Sequence, residues 1–286
     1  MILLKKGDTV GLTSCSDGLR PEEEPIVGKV IHTLTSLGLR VKTAETIFQQ
    51  NDKPFSGSPA HRASELMRFF NDPDVKMIFD LSGGDSANQI LPCLDFAAIR
   101  TSQAMFTGIS DLSVVNNAIF ARSEKPSCHY RIKNLAGLFA AEQKKFFEDY
   151  IMGEPAPSPF TYRWLRGHDM KGIVIGGNIR CFLKLAGTRF FPDTEGKIIF
   201  LEALGGGAAR MASLLAQLDQ LSVFRKCRGV LLGTFSEMQK KELKPSIEQL
   251  VLEITEKYDV PVAKTEQLGH GGDARCILIG SPLSLN

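Results

Sequence analysis

Ala104–Arg122, AMFTGISDLSVVNNAIFAR, opens with a short apolar run at Met105 and Phe106 and turns at Gly108-Ile109-Ser110. Leu112, Val115 and Ile119 then recur at i, i+3 and i+7, the spacing of one helix face. A strand that runs straight into a helix allows two readings of the serine at its turn. In one, Ser110 is an N-cap whose hydroxyl accepts an early backbone N–H, and Asp111 is favoured by the positive end of the helix dipole. In the other, the turn is a nucleophile elbow. It lifts the hydroxyl clear of the sheet, beside free N–H groups that can hold an oxyanion. The second glycine of the usual elbow is missing, since Leu112 stands there. Both readings stay open on this stretch alone.

Outward from the turn, strands and helices alternate. Toward the N-terminus, Asp8–Ser14 reads as a strand, Glu22–Leu37 as a helix stopped by Gly38, and Arg40–Ile47 as a strand. A polar loop follows, then a helix over Ala60–Asn71 with Leu66, Phe69 and Phe70 on one side. Val75–Leu81 is a nearly continuous apolar strand of the kind covered on both faces in parallel sheets. It runs into Ser82-Gly83-Gly84-Asp85 and a helix-like stretch to Leu91. This alternation predicts a doubly wound parallel sheet, with Gly83-Gly84 and Ser110 at the carboxyl ends of strands, where such sheets bind ligands.

Toward the C-terminus, a helix over Ala140–Met152 leads into GEPAPSP, three prolines in seven residues. That composition marks a linker. It divides the chain into an N-terminal α/β domain over residues 1–152, a linker over 153–168 and a C-terminal domain over 169–286. Beyond it the pattern restarts. Gly172–Ile175 is a strand, Gly176-Gly177-Asn178 opens a helix, and Lys197–Leu201 is a strand ending at Glu202. After Gly205-Gly206-Gly207, the residues Met211, Leu214, Leu215, Leu218 and Leu221 trace an amphipathic helix. Gly229–Gly233 and Pro261–Ala263 are strands with a helix at Ser246–Lys257 between them, and Cys276–Ile279 is a last apolar strand.

Composition narrows the function classes. Hydrophobic residues at 43% and charged residues at 23% of 286 are ordinary for a soluble globular protein. A formal charge of +2, from 34 basic and 32 acidic residues, makes no electrostatic case for nucleic acid or an anionic membrane. No apolar run approaches the ~20 residues of a membrane span, and Lys5-Lys6 follows the short N-terminal apolar stretch, unlike a signal peptide. Six scattered cysteines without a Cys-x-x-Cys pair read as reduced, buried thiols of a cytoplasmic protein, not as disulfides or a metal site. Nothing nearby completes a coordination sphere around Cys128-His129, which reads as structural.

A serine nucleophile needs a base and a carboxylate to orient that base. Of five histidines, His32 and His61 fall on helices, His129 follows Cys128, and His168 lies in the polar linker region. His270 is flanked by Gly269, Gly271 and Gly272, which let backbone approach a ligand closely. Glu202 ends an apolar strand, an expensive place for a carboxylate unless it is paired. Ser110, Glu202 and His270 thus stand in an order that a triad can have, although each also has an ordinary structural account.

Several segments together carry a resemblance. These are Gly83–Phe96 (GGDSANQILPCLDF), Phe106–Ile119 (FTGISDLSVVNNAI), Gly172–Leu204 and Leu268–Gly272 (LGHGG), with Leu4–Ser14 and Ser56–Phe79 in support. The chain resembles the serine peptidase family of LD-carboxypeptidases and microcin C immunity peptidases, in collinear order over nearly its whole length. The resemblance implies an N-terminal α/β sandwich, a smaller barrel-like C-terminal domain, and an active site in the cleft between them. It assigns the nucleophile to Ser110, the acid to Glu202 and the base to His270. The oxyanion hole falls on the backbone N–H groups of Gly84, Asp85 and Asp111, and substrate contacts on Gly83, Ser86, Asn88 and Asn178. Ser86 is a rival nucleophile, but the family's serine aligns with Ser110. The loop Asp85-Ser86-Ala87-Asn88 is nearer the Asn/Ser-rich form of immunity-type members than the Tyr-Gly form of LD-carboxypeptidases.

The expected activity is cytoplasmic removal of a terminal D-amino acid from a murein tetrapeptide during cell-wall recycling, with no metal or organic cofactor. One alternative is an immunity-type amidase acting on a peptidyl-nucleotide, with Trp164, Phe160 or Tyr162 as a platform for the base. Another, of a different class, is a catalytically silent protein that binds a small ligand on the same fold. Neither nucleic acid nor membrane is an expected partner, and the resemblance is compatible with a homodimer.

Overall fold

A computed structural model of the chain describes residues 3–153 and 160–286. The first sheet holds β1 (Thr9–Thr13), β2 (Arg40–Thr43), β3 (Val75–Asp80), β4 (Met105–Thr107) and β5 (Ser127–His129), parallel in the order β2-β1-β3-β4-β5. Its central strands β1 and β3 are buried along nearly their whole length, as strands covered on both faces must be. The connections carry α1 (Glu24–Ser36), α2 (Pro59–Phe70), α3 (Phe96–Thr101), α4 (Ser113–Ser123) and α5 (Ala140–Phe146). Alternate residues of β3 feed the two faces. Met77 and Phe79 pack with Val27, Val30 and Leu34 of α1 and Phe146 of α5, while Ile78 packs with Leu66, Phe69, Ile99 and Val115 of α2, α3 and α4. The sheet is doubly wound.

The second sheet is built from β6 (Arg163–Arg166), β7 (Met170–Asn178), β8 (Lys197–Ala203), β9 (Gly229–Phe235) and β10 (Val262–Lys264), followed by β11 (Ile277–Ile279) and β12 (Pro282–Leu285). Strands β7-β8-β9-β10 are parallel, and antiparallel β12 and β6 close the two edges. The sheet curls into an open half-barrel. Its outer face is covered by α6 (Ile179–Leu183), α7 (Ala208–Gln220), α8 (Val223–Lys226), α9 (Ser236–Lys240) and α10 (Ile247–Thr255). Phe182, Leu215, Leu218 and Val251 pack there on Ile175, Ile199 and Val230. The other face buries Val174, Ile198, Phe200 and Leu231 against Phe160, Ile277 and Ile279.

β11 pairs antiparallel with β5 of the first sheet, and only three residues later β12 pairs with β7 of the second. The chain's last twenty residues therefore tie the two α/β units together. Arg163–Arg166, within the stretch read as a linker, forms edge strand β6. There the Arg166 guanidinium donates to the Val260 carbonyl (2.9 Å) and Thr255 Oγ1 (2.5 Å). The proline cluster itself lies outside the described residues. β2 stops at Thr43, short of Ile47, and the helix-like stretch after Gly84 is a 3-10 helix over Ala87–Cys93 with Pro92 inside it. Among the described residues no helix is long and apolar enough to cross a membrane.

Candidate active site

The carboxyl ends of β1, β3 and β4 converge on one buried network. Asp80, last in β3, accepts from the backbone N–H of Cys15 (2.7 Å) and from Ser82, fixing the turns after β1 and β3. Buried Asp111 accepts from Ser16 Oγ (2.7 Å), the Ala87 N–H (2.8 Å) and Lys184 Nζ (2.6 Å). Its carboxylate thus anchors the turn after β4 to two neighbouring loops and to α6. Burial alone would lower the Lys184 pKa, but Asp111 and Asp85 beside it raise it above its ordinary value.

Ser110 sits between these anchors with φ +62, a left-handed conformation that costs a non-glycine residue free energy. Gly108 makes the turn sterically feasible, because a Cβ there would lie 2.5 Å from the Leu112 Cβ. The missing second glycine of the usual elbow is thereby accommodated by the first. The Ser110 hydroxyl takes no hydrogen-bond partner among the described residues, so it is not a cap, and no cap hydrogen bond closes either short helix that starts here. It lines a cavity of about 590 Å³ together with Gly84, Asp85, Asn178, Ala203, Arg210 and Glu237. Both α/β units supply walls.

Glu202 lies in β8 beside Asn178 of β7, where the register toward β9 shifts between Leu201 and Ala203. Such irregularities re-aim side chains. The carboxylate is buried, and its Oε2 lies 2.6 Å from His270 Nδ1. Burial pushes the Glu202 pKa up, but the charge and hydrogen bond of His270, with His129 nearby, outweigh that and hold it down at about 2. Gly269 permits the close fit: at φ +131, a Cβ there would stand 2.2 Å from Thr234 Oγ1 and 3.3 Å from Glu202 Oε2. The His270 side chain is 6% exposed, and its Nε2 has no hydrogen-bond partner among the described residues. With Glu202 accepting at Nδ1–H, Nε2 carries the lone pair and can take a proton. No hydrogen bond joins it to Ser110; such contacts are often long without substrate.

The backbone N–H groups of Gly84, Asp85 and Asp111 donate to no acceptor among the described residues. Asn178 is in the cavity wall; its side chain caps α6 and its N–H donates to Ser113 Oγ (2.9 Å). Gly83, Ser86 and Asn88 are not among the cavity-lining residues. The Ser86 hydroxyl is committed, donating to Asp17 Oδ1 (2.6 Å) and accepting from Arg62 Nη1 (3.1 Å). Trp164 and Tyr162 pack edge to face, with ring centres 5.8 Å apart, on the cluster around Phe160, away from the cavity.

Three side chains have roles at the site beyond the sequence reading, which named Asp85 only for its backbone N–H. Asp85 is ion-paired with Arg180 and Lys184 at the cavity rim. Glu237 accepts from the Gly206 N–H (2.6 Å) and pins the glycine-rich loop after β8. Arg210, in the first turn of α7, faces the cavity with no hydrogen bond or ion pair among the described residues. The described residues contain no group of three His, Cys, Asp or Glu side chains that could hold a metal.

Fold and cavity place the chain among α/β proteins whose ligands sit at the carboxyl ends of parallel strands, between two units. The chain belongs to the LD-carboxypeptidase family. The family's N-terminal domain profile matches residues 10–130, and its C-terminal domain profile matches residues 171–285. It is 26% identical to the probable murein peptide carboxypeptidase of Bacillus subtilis, over 99% of this chain and 90% of that one. It is 20% identical to the microcin C7 self-immunity protein MccF of Escherichia coli, over 99% and 92%. A solved structure of MccF with glutamyl sulfamoyl guanosine superposes with a TM-score of 0.87 at 19% identity, covering 98% of this chain and 93% of that one. Muramoyltetrapeptide carboxypeptidase from Oxalobacter formigenes gives 0.77 at 22% identity, covering 96% and 93%. At such identities the superpositions establish the shared fold.

Proposed function

We propose that the protein is a serine carboxypeptidase that removes the terminal D-amino acid of a murein-derived tetrapeptide. Ser110 is the nucleophile, His270 the general base and Glu202 its orienting carboxylate. Ser110 Oγ attacks the carbonyl carbon before the terminal residue and passes its proton to His270 Nε2. The oxyanion is held by the N–H groups of Gly84, Asp85 and Asp111. The C–N bond breaks as His270 returns the proton to the leaving amine, and water, deprotonated by the same imidazole, then hydrolyses the acyl-serine ester. The observation that carries this reading is the buried Glu202–His270 pair at 2.6 Å, whose outer ring nitrogen has no hydrogen-bond partner among the described residues. A purely structural pair would satisfy both ring nitrogens.

The cavity supports the substrate assignment. No aromatic side chain is among its lining residues. Arg210, whose charge also acts on Glu237 in the same wall, presents a guanidinium suited to a terminal carboxylate. Four buried free thiols (Cys15, Cys128, Cys181 and Cys276) fit a reducing cytoplasmic setting.

The test is mass spectrometry of the products from a tetrapeptide ending in D-alanine, its C-terminal amide, and a peptidyl-adenylate amide. Expected is release of D-alanine from the free acid, a raised KM for the amide form, and loss of at least about 10⁴-fold in Ser110→Ala. Cleavage of the adenylate compound alone would transfer the protein to the immunity branch. Turnover of none would leave a ligand-binding protein on this fold.

A further inference from the structure

Glu202 has two carboxylate oxygens, and His270 uses one. The other, Oε1, is buried without a hydrogen-bond partner among the described residues, and so is His129 Nε2. These two orphaned atoms face each other at 3.8 Å. They belong to different sheets, since His129 ends β5 and Glu202 is in β8. The His129 ring is held in place. Phe200 meets it edge-on, with centres 5.1 Å apart at 87°, and the Gly177 backbone passes so close that a Cβ there would be 3.3 Å from Cδ2. Each unpaired buried polar atom carries an uncompensated desolvation cost. A shift below one ångström would relieve both. If His129 only filled space, an apolar ring would fill it without that cost.

We propose that His129 is a positioning residue that donates from Nε2 to the second oxygen of Glu202, so that the first sheet fixes the carboxylate that orients His270. This rests on the catalytic reading above. Glu202 is then held between two imidazoles, one from each unit, and the aim of His270 toward Ser110 depends on how the units are seated. The packing account of His129 makes the opposite forecast: any ring of similar shape should serve.

The test compares His129→Phe with His129→Gln, whose amide N–H can still reach Oε1. Expected is a kcat about 10- to 100-fold lower in His129→Phe with KM nearly unchanged, and recovery of most of that loss in His129→Gln. Equal losses in both, or none in His129→Phe, would overturn the proposal. Should His129→Phe fail to fold, ring ¹⁵N spectra of the wild type decide. Nε2 of His129 should carry the proton and shift in Glu202→Gln; an unprotonated or unmoved Nε2 refutes the contact. These spectra need no turnover. If the wild type hydrolyses nothing, the catalytic reading falls while the His129–Glu202 contact is still decided.

Discussion

A carboxylate buried between two imidazoles gives Glu202 a measurable signature. Its pKa in the folded protein is about 2, against an ordinary 4.5. The ionised form therefore stabilises the fold fully above about pH 4.5, and that contribution is lost as pH falls toward 2. The linkage is on the order of 3 kcal/mol. Denaturant unfolding of the wild type and Glu202→Gln at pH 6 and pH 3 should show the wild-type advantage shrinking at the lower pH. A difference independent of pH would contradict this account of the pair. The ingredients were visible in the sequence: a lone acid after KIIFL, and a histidine among glycines. Their contact was not, because 68 residues separate them. His129 reads as structural in the sequence for the same reason. A histidine beside a cysteine says nothing of what a distant strand places opposite its ring.

At the scale of elements, α4 shows why periodicity reaches only so far. Leu112, Val115 and Ile119 mark one apolar face, yet the helix is buried on almost every side. It lies between the first sheet and the β7–α6 corner of the second unit. Asn117, which any amphipathic reading would give to solvent, donates to the Gly176 carbonyl (2.7 Å) and accepts from the Gly176 N–H (2.9 Å). Asn117→Leu keeps the number of side-chain heavy atoms and leaves both backbone groups unpaired, which should cost about 2–5 kcal/mol by denaturant midpoint. An unchanged midpoint would mean that water reaches Gly176. The long elements β1, α1, α2, β3, β8 and α7 were legible because their apolar periods are sustained. β5 is three residues long, and β6 hides Trp164 and Leu165 among arginines; neither carries enough pattern to be read.

The whole molecule joins two sheets through side chains that also shape the cavity. Lys184 reaches Asp111, Ser113 reaches Asn178, and Asn134 Nδ2 donates to the Gly271 carbonyl (3.0 Å) beside His270. The order of motifs along the chain implied two units with a site between them. It could not show that the chain returns to the first sheet as β11 before finishing in the second as β12, because an apolar strand of Ile-Leu-Ile fits either. That return places the His270 loop between strands belonging to both units. Ser110, His270 and Glu202 are thus set by separate elements whose spacing depends on the interface as a whole.

The most direct measurement is peptide-mapped mass spectrometry after brief exposure to a fluorophosphonate, comparing the wild type with Ser110→Ala, Ser86→Ala and Glu202→Gln. Labelling confined to the peptide bearing Ser110, kept in Ser86→Ala, lost in Ser110→Ala and slowed in Glu202→Gln, is the expected result. Labelling at another residue, or at the same rate in Glu202→Gln, would contradict the claim that Ser110 is a nucleophile activated through the His270–Glu202 pair.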